Sequence, residues 1–286
     1  MPHPLVTANE LAALLDDAAS GGAPVRVLDV RWSLGGPVGL PLYDAGHIPG
    51  AVYVDLDTEL ARHGEPYEGR HPLPTADAFQ VAARAWGLND GETVIVYDDW
   101  NCLAAGRAWW LLRYMGAENV RVLDGALPAW TAAGHPLATG SDDLANVAPG
   151  TITLSAGHEP VLTADDAASL AHSGVLLDAR AGERYRGETE PIDPRAGHIP
   201  GAISAPTSGN LNDTGHFLDA DSLRERYEAL GVGVDRAVGV YCGSGITAAH
   251  DALALTVAGF RPALFPGSWS AWANQPERPV ATGATP

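Results

Sequence analysis

The segment "VGVYCGSGITAAHDALAL" (238–255) runs from an apolar stretch through a cysteine, two glycines and a serine into a helical pattern. An earlier segment, "VIVYDDWNCLAAGRAWWLLRYMG" (94–116), has the same layout, with Asp98 where the later one has Cys242. Three more pairs recur in the same order. "LVTANELAALLDDAASGGAPVRVLDVRW" (5–32) matches "VLTADDAASLAHSGVLLDARAG" (161–182), and "AGHIPGAVYVDL" (45–56) matches "AGHIPGAISAPT" (196–207). "VLDGALPAWTAAG" (122–134) matches "LFPGSWSAWANQP" (264–276). Matched blocks in one order mark an internal duplication.

Within each repeat, short apolar runs alternate with helical patterns. Val27–Val30, Val94–Tyr97, Val175–Leu177 and Val238–Tyr241 read as strands, and 75–86, 103–115, 221–229 and 247–258 as helices. That alternation predicts an α/β fold in tandem, each copy a parallel sheet with helices on both faces. The expected domains are 1–137 and 161–286, joined by 138–160, which is rich in Gly, Pro, Ser and Asp and reads as a linker. Right-handed crossovers set the strand C-terminal ends along one edge, where open α/β sheets bind ligands. Cys242 and Asp98 both fall at such ends.

Composition narrows the function classes. A net charge of −18 argues against a nucleic-acid footprint. All 17 basic residues are arginine, so any bound anion must be held by Arg, His or backbone N–H groups. No apolar run reaches the roughly 18–20 residues needed to span a bilayer. The start "MPHPLVTANELAALLDD" lacks the basic and apolar regions of a secretory signal, so the cytoplasm is the expected compartment. Two distant cysteines make no disulfide framework.

The loop "CGSGIT" (242–247) has a chemistry of its own. Gly243 and Gly245 let the backbone curl and turn successive N–H groups to one side. A helix starting at Thr247 adds its positive end. Such a ring favours the thiolate of Cys242, which is the nucleophilic form, and could hold a charged adduct on sulfur. The hydroxyls of Ser244 and Thr247 are further donors. Alone, a C-G-S-G turn is more often a tight strand-to-helix connection than an active site.

In combination with the "GHIPGA" blocks (46–51 and 197–202) and the Asp-x-Arg strand ends, the loop resembles that of two-domain rhodanese-type sulfurtransferases. "CGSGIT" is similar to the loop of the 3-mercaptopyruvate branch, with Ile246 in place of Val. Gly243, Ser244 and Gly245 bring no basic side chain into the loop, whereas thiosulfate-specific relatives usually carry them there. The resemblance implies a Cys242 persulfide, formed from 3-mercaptopyruvate and passed to a thiol such as thioredoxin or a low-molecular-weight thiol, or to cyanide. It implies no cofactor or metal and a catalytically inactive first repeat, where "DDWNCL" has no glycine cradle. Cys102 aligns with Ile246 and reads as an apolar helix residue.

The resemblance also implies site residues outside the loop. Arg184 occupies the position that holds the donor carboxylate, for which a planar guanidinium suits a bidentate grip. Arg180 is the arginine of Asp-x-Arg. Arg186 and Arg195 are both open as a second substrate arginine, and Arg195 joins Arg184, Arg180, Gly243, Gly245, Ile246 and Thr247 as candidate substrate contacts. Asp57 and His71 are expected to form a proton relay with Ser244. His47 and His198 occur in both repeats and are expected to be architectural. The alternatives are a thiosulfate donor, a sulfur-carrier or binding module without turnover, and a phosphatase, for which the loop is too short.

Overall fold

The computed structural model describes residues 3–141, 144 and 147–286. The chain divides into two compact units that trade short segments. The first holds 3–61, 74–158 and 213–216, and the second 62–73, 159–212 and 217–286.

The first unit is built on a five-stranded, all-parallel sheet. Its strands are β1 (Leu5–Val6), β2 (Val25–Asp29), β3 (Val52–Tyr53), β4 (Thr93–Tyr97) and β5 (Val120–Leu123), in spatial order β1-β5-β4-β2-β3. Its helices are α1 (Ala8–Ala19), α2 (Gly39–Ala45), α3 (Leu56–Glu59), α4 (Ala76–Ala85), α5 (Leu103–Tyr114) and α6 (Ala126–Ala132). Sequence periodicity found β2, β4, α4 and α5. It missed the two-residue strands, too short to show a period.

In the second unit α7 (Ala164–Ser173), β6 (Val175–Asp178), α8 (Gly182–Tyr185), β7 (Ile203–Ser204), α9 (Ala220–Ala229), β8 (Val238–Tyr241), α10 (Thr247–Val257), β9 (Ala263–Leu264) and α11 (Ser268–Ala273) follow in order. The parallel sheet runs β7-β6-β8-β9. The counterpart of β1 is reduced to a single bridge from Val161 to Leu264.

Both units open with the same device. Thr7 and Thr163 cap α1 and α7, and Glu10 and Asp166 complete reciprocal capping boxes. The segment 138–160, expected as a linker, is instead laid along the first unit through residue 158. Ala138 bridges to His47, the Gly150 amide donates to Arg84 O at 2.8 Å, and Ser155 N donates to Met115 O at 3.0 Å. Arg84 Nε donates to Ile152 O at 2.9 Å. Its composition looked linker-like because its hydrogen bonds are to another segment rather than periodic within itself. Residues 142–143 and 145–146 of that segment lie outside the described residues.

The "GHIPG" histidines make the same backbone contacts in both copies, as expected. His47 stacks on Tyr43 and His198 on Tyr185, each with centroids 3.8 Å apart, and each Nδ1 meets the carbonyl of its stacking tyrosine. In each unit the Asp-x-Arg pair closes on itself. Arg31 Nη2 reaches Asp29 at 2.7 Å and Gly46 O at 2.7 Å, and Arg180 Nη2 reaches Asp178 at 2.5 Å and Gly197 O at 2.7 Å.

Helix α10 is buried from Ala248 to Leu255, including Asp251. Asn210 donates to Asp251 Oδ1 at 2.6 Å and accepts from Arg226 Nε at 3.1 Å and Tyr227 Oη at 2.9 Å. The other carboxyl oxygen of Asp251 meets no donor among the described residues. Burial drives the Asp251 carboxyl up to about 7, against the pull of Asn210 and Arg226. The folded protein therefore keeps a proton that the unfolded chain releases from 3.8 upward. Stability contributed by this group falls as pH rises between those values. Asp251→Asn should flatten that decline, measured as urea midpoints at pH 5 and pH 8. A variant as pH-sensitive as the parent would contradict it.

Candidate active site

Strand β8 ends at Tyr241, and the backbone then turns sharply before α10. Gly245 makes the turn possible with φ of 81°, and a β-carbon there would lie 2.4 Å from the Pro266 carbonyl. The Gly245 amide donates to Cys242 Sγ at 3.1 Å. Ser268 Oγ accepts from the Cys242 amide at 3.1 Å and lies 4.0 Å from the sulfur. Trp269 N and Ser270 N, in the first turn of α11, donate to the carbonyls of Cys242 and Gly243. The thiol is thus buried at a strand end with its backbone held on both sides.

The first unit shows what such a loop demands. Asp98, fully buried, accepts four backbone amides: Trp100 and Cys102 on Oδ1 at 2.9 Å, and Ala104 and Ala105 on Oδ2 at 2.8 and 2.9 Å. A ring of amides therefore exists in "DDWNCL" although the loop has no glycine. Asn101 and Cys102 take left-handed φ of 56° and 62°, so the ring forms without glycine. Burial raises the Asp98 carboxyl to about 6, while the four amides pull it down. Cys102 precedes α5 rather than lying within it, and its Sγ contacts Leu123 O at 3.3 Å. Burial pushes that thiol well up.

A strap from the other repeat's sequence completes the second unit's site. Residues 62–73 belong to this unit, seated where Gly69 passes so close to Gly267 that a β-carbon at 69 would be 2.6 Å from its carbonyl oxygen. The strap brings His71 Nδ1 to 2.8 Å from Ser244 Oγ, one of the links expected of the relay. Asp57 belongs to the first unit, on α3, where it accepts from Trp32 Nε1 at 3.0 Å.

The strap also carries Arg70, which sequence reasoning passed over although it adjoins His71. Arg70 Nη2 lies 3.1 Å, and Arg184 Nη1 3.4 Å, from where a β-carbon at Gly243 would sit. Asp193 forms ion pairs with both: with Arg70 through Oδ1, and with Arg184 through Oδ2 at 3.5 Å. Glu190 holds Arg184 at 2.6 Å. Burial raises the Asp193 carboxyl above its ordinary value despite the pull of Arg70.

The remaining candidates divide by what their donors meet. Arg180, buried, is spent on Asp178, Glu190 and Gly197 O. Arg195 is corrected from a candidate substrate contact to a helix-end clamp, since it donates to the carbonyls of Trp272, Ala273, Gln275 and Arg278 at 2.8–3.0 Å. Arg186 pairs with Glu188 in solvent. Ile246 precedes α10 and Thr247 is its first residue.

Asp98→Ala orphans its ring of buried amides and should cost about 2–4 kcal/mol. Urea denaturation checks this; an unchanged midpoint would show that the carboxylate is not what satisfies the loop.

The model of the rhodanese-like domain matches twice, over residues 7–133 and 163–275. SseB of Mycobacterium tuberculosis, provisionally named a thiosulfate sulfurtransferase, is 47% identical over 98% of this chain and 97% of its own. A Pseudomonas aeruginosa protein provisionally named a 3-mercaptopyruvate sulfurtransferase is 45% identical over 98% of each. The crystal structure of SseA from Escherichia coli, described as a 3-mercaptopyruvate sulfotransferase with the rhodanese fold, superposes with a TM-score of 0.81 at 33% identity, covering 93% of this chain and 98% of that one. With both halves matched and relatives this similar along their full length, the chain belongs to the rhodanese family and carries two rhodanese-like domains.

Proposed function

We propose that this sulfurtransferase takes sulfur from 3-mercaptopyruvate onto Cys242 and passes it to a thiol or to cyanide. The comparison of Asp98 with Cys242 carries this reading. In a persulfide, Cys–S–S⁻, the outer sulfur stands two bonds from Cβ, as each carboxylate oxygen of an aspartate does. The amides that correspond to those bound by Asp98 belong to Ser244, Ile246, Ala248 and Ala249. The loop is therefore suited to hold a persulfide anion on sulfur, while the first repeat fills its own ring with a permanent carboxylate and serves as the non-catalytic half.

The Cys242 thiolate attacks the sulfur of mercaptopyruvate, forming the S–S bond as the C–S bond breaks. The leaving carbanion is the enolate of pyruvate and takes up the proton that the donor thiol gives up. The 2.8 Å contact of His71 Nδ1 with Ser244 Oγ supports a relay of that proton through these two residues. Arg184 holds the carboxylate. An acceptor thiolate then attacks the outer sulfur and returns Cys242 as thiolate. No step calls for a metal or organic cofactor. Among the described residues no helix is long and apolar enough to cross a membrane, and a cytoplasmic placement goes with this reading.

The name of the mycobacterial relative favours thiosulfate as an alternative donor. Attack by the thiolate then releases sulfite, which needs no proton.

Brief exposure to each donor followed by mass spectrometry should add one sulfur atom to the Cys242 peptide. Cys242→Ser should abolish transfer, and a carrier without turnover would keep its function in that variant. His71→Asn should lower turnover of mercaptopyruvate by about a hundredfold, the scale of general acid–base help. Equal rates in parent and variant would remove His71 from the mechanism.

A further inference from the structure

We infer that Arg70 is a second donor-binding guanidinium, and that it determines whether a dianionic donor such as thiosulfate is accepted alongside a monocarboxylate. The inference rests on the sulfurtransferase reading and assigns a specificity role within that site.

Two observations carry it. The first is convergence: Arg70 Nη2 and Arg184 Nη1, from different segments, both approach Gly243, the residue after the nucleophile, at 3.1 and 3.4 Å from its would-be β-carbon. Neither of these nitrogens makes a hydrogen bond among the described residues. Asp193 tethers Arg70 through Nη1, and Glu190 and Asp193 tether Arg184 through Nε and Nη2, which leaves the amino groups that face Gly243 unused. The second is unspent donor capacity. Arg70 Nε is buried and also meets no acceptor among the described residues. Both side chains keep some solvent access, 25% for Arg70 and 17% for Arg184, while the carboxylates behind them keep 2% and 3%. The cations thus face outward and their counter-charges inward.

A single carboxylate is matched by one guanidinium, and Arg184 suffices. Thiosulfate brings two negative charges on one small ion, with acceptor oxygens on every side of its sulfonate end. Two guanidinium amino groups over one glycine suit that geometry. The missing Cβ at Gly243 leaves the space in which the sulfonate oxygens would lie. Positive charge that the loop itself lacks is thereby supplied from residue 70, far away in the chain.

The test compares both donors in parent, Arg70→Met and Arg70→Lys, reading kcat and KM together with persulfide on Cys242. Arg70→Met should weaken both donors, thiosulfate more, shifting the ratio of kcat/KM values toward mercaptopyruvate by about tenfold or more, chiefly through KM. Arg70→Lys preserves the charge beside buried Asp193 and should therefore fold; it should recover part of the thiosulfate KM, as a point charge without the fork. If the ratio is unchanged in both variants, or the parent ignores thiosulfate while using mercaptopyruvate, the inference is wrong. If the parent gains no sulfur on Cys242 from either donor, the sulfurtransferase reading itself fails, which is a separate result.

Discussion

A helix that begins inside a protein leaves its first amides without partners, and a buried amide must have one. Both units place such a beginning straight after a central strand. The two repeats meet this demand differently. Asp98 folds its carboxylate into the ring and satisfies four amides at once. Cys242 is shorter by the reach of an oxygen, and the Gly245 amide donates to its sulfur. What is a structural plug in one half becomes, under the proposed mechanism, room for an added sulfur in the other.

Around this difference the two frames are nearly the same. Tyr97 and Tyr241 end equivalent strands and accept the amides of Ile48 and Ile199. The Asp-x-Arg pairs brace equivalent loops. These shared parts build the fold, so the residues that differ between the halves are where function is sought. Arg107 and Asp251 stand at corresponding places in their buried helices with opposite charge. Arg107 donates to the Leu60 carbonyl, and Asp251 accepts from Asn210.

The duplication, the parallel strands and the cysteine loop were legible because each is a local pattern: a repeated block, an apolar run, glycines at fixed offsets. The role proposed for Arg184 rests on family resemblance, with no local pattern to mark it. Arg70 was not legible, since its role depends on a strap docking against a loop that lies more than 170 positions later, and nothing local marks it. The Asp98 ring was missed for a different reason. A loop without glycine gave no sign of a ring, because Asn101 and Cys102 adopt the left-handed backbone themselves. Arg195 was misplaced because an arginine that clamps a helix end and one that binds an anion look alike in sequence.

The strap has a consequence for how the molecule comes into being. Residues 62–73 leave the ribosome early, while Ser244 and Gly267, which they meet, follow some 170 to 200 positions later. Until those arrive, the strap has no surface to settle on, and its ordering must await synthesis of residue 267. The first unit's sheet, by contrast, has all its strands by residue 123. Assembly is therefore staged, with Cys242, His71 and Arg70 coming together last. A chain released prematurely would hold a finished first sheet and no chemistry.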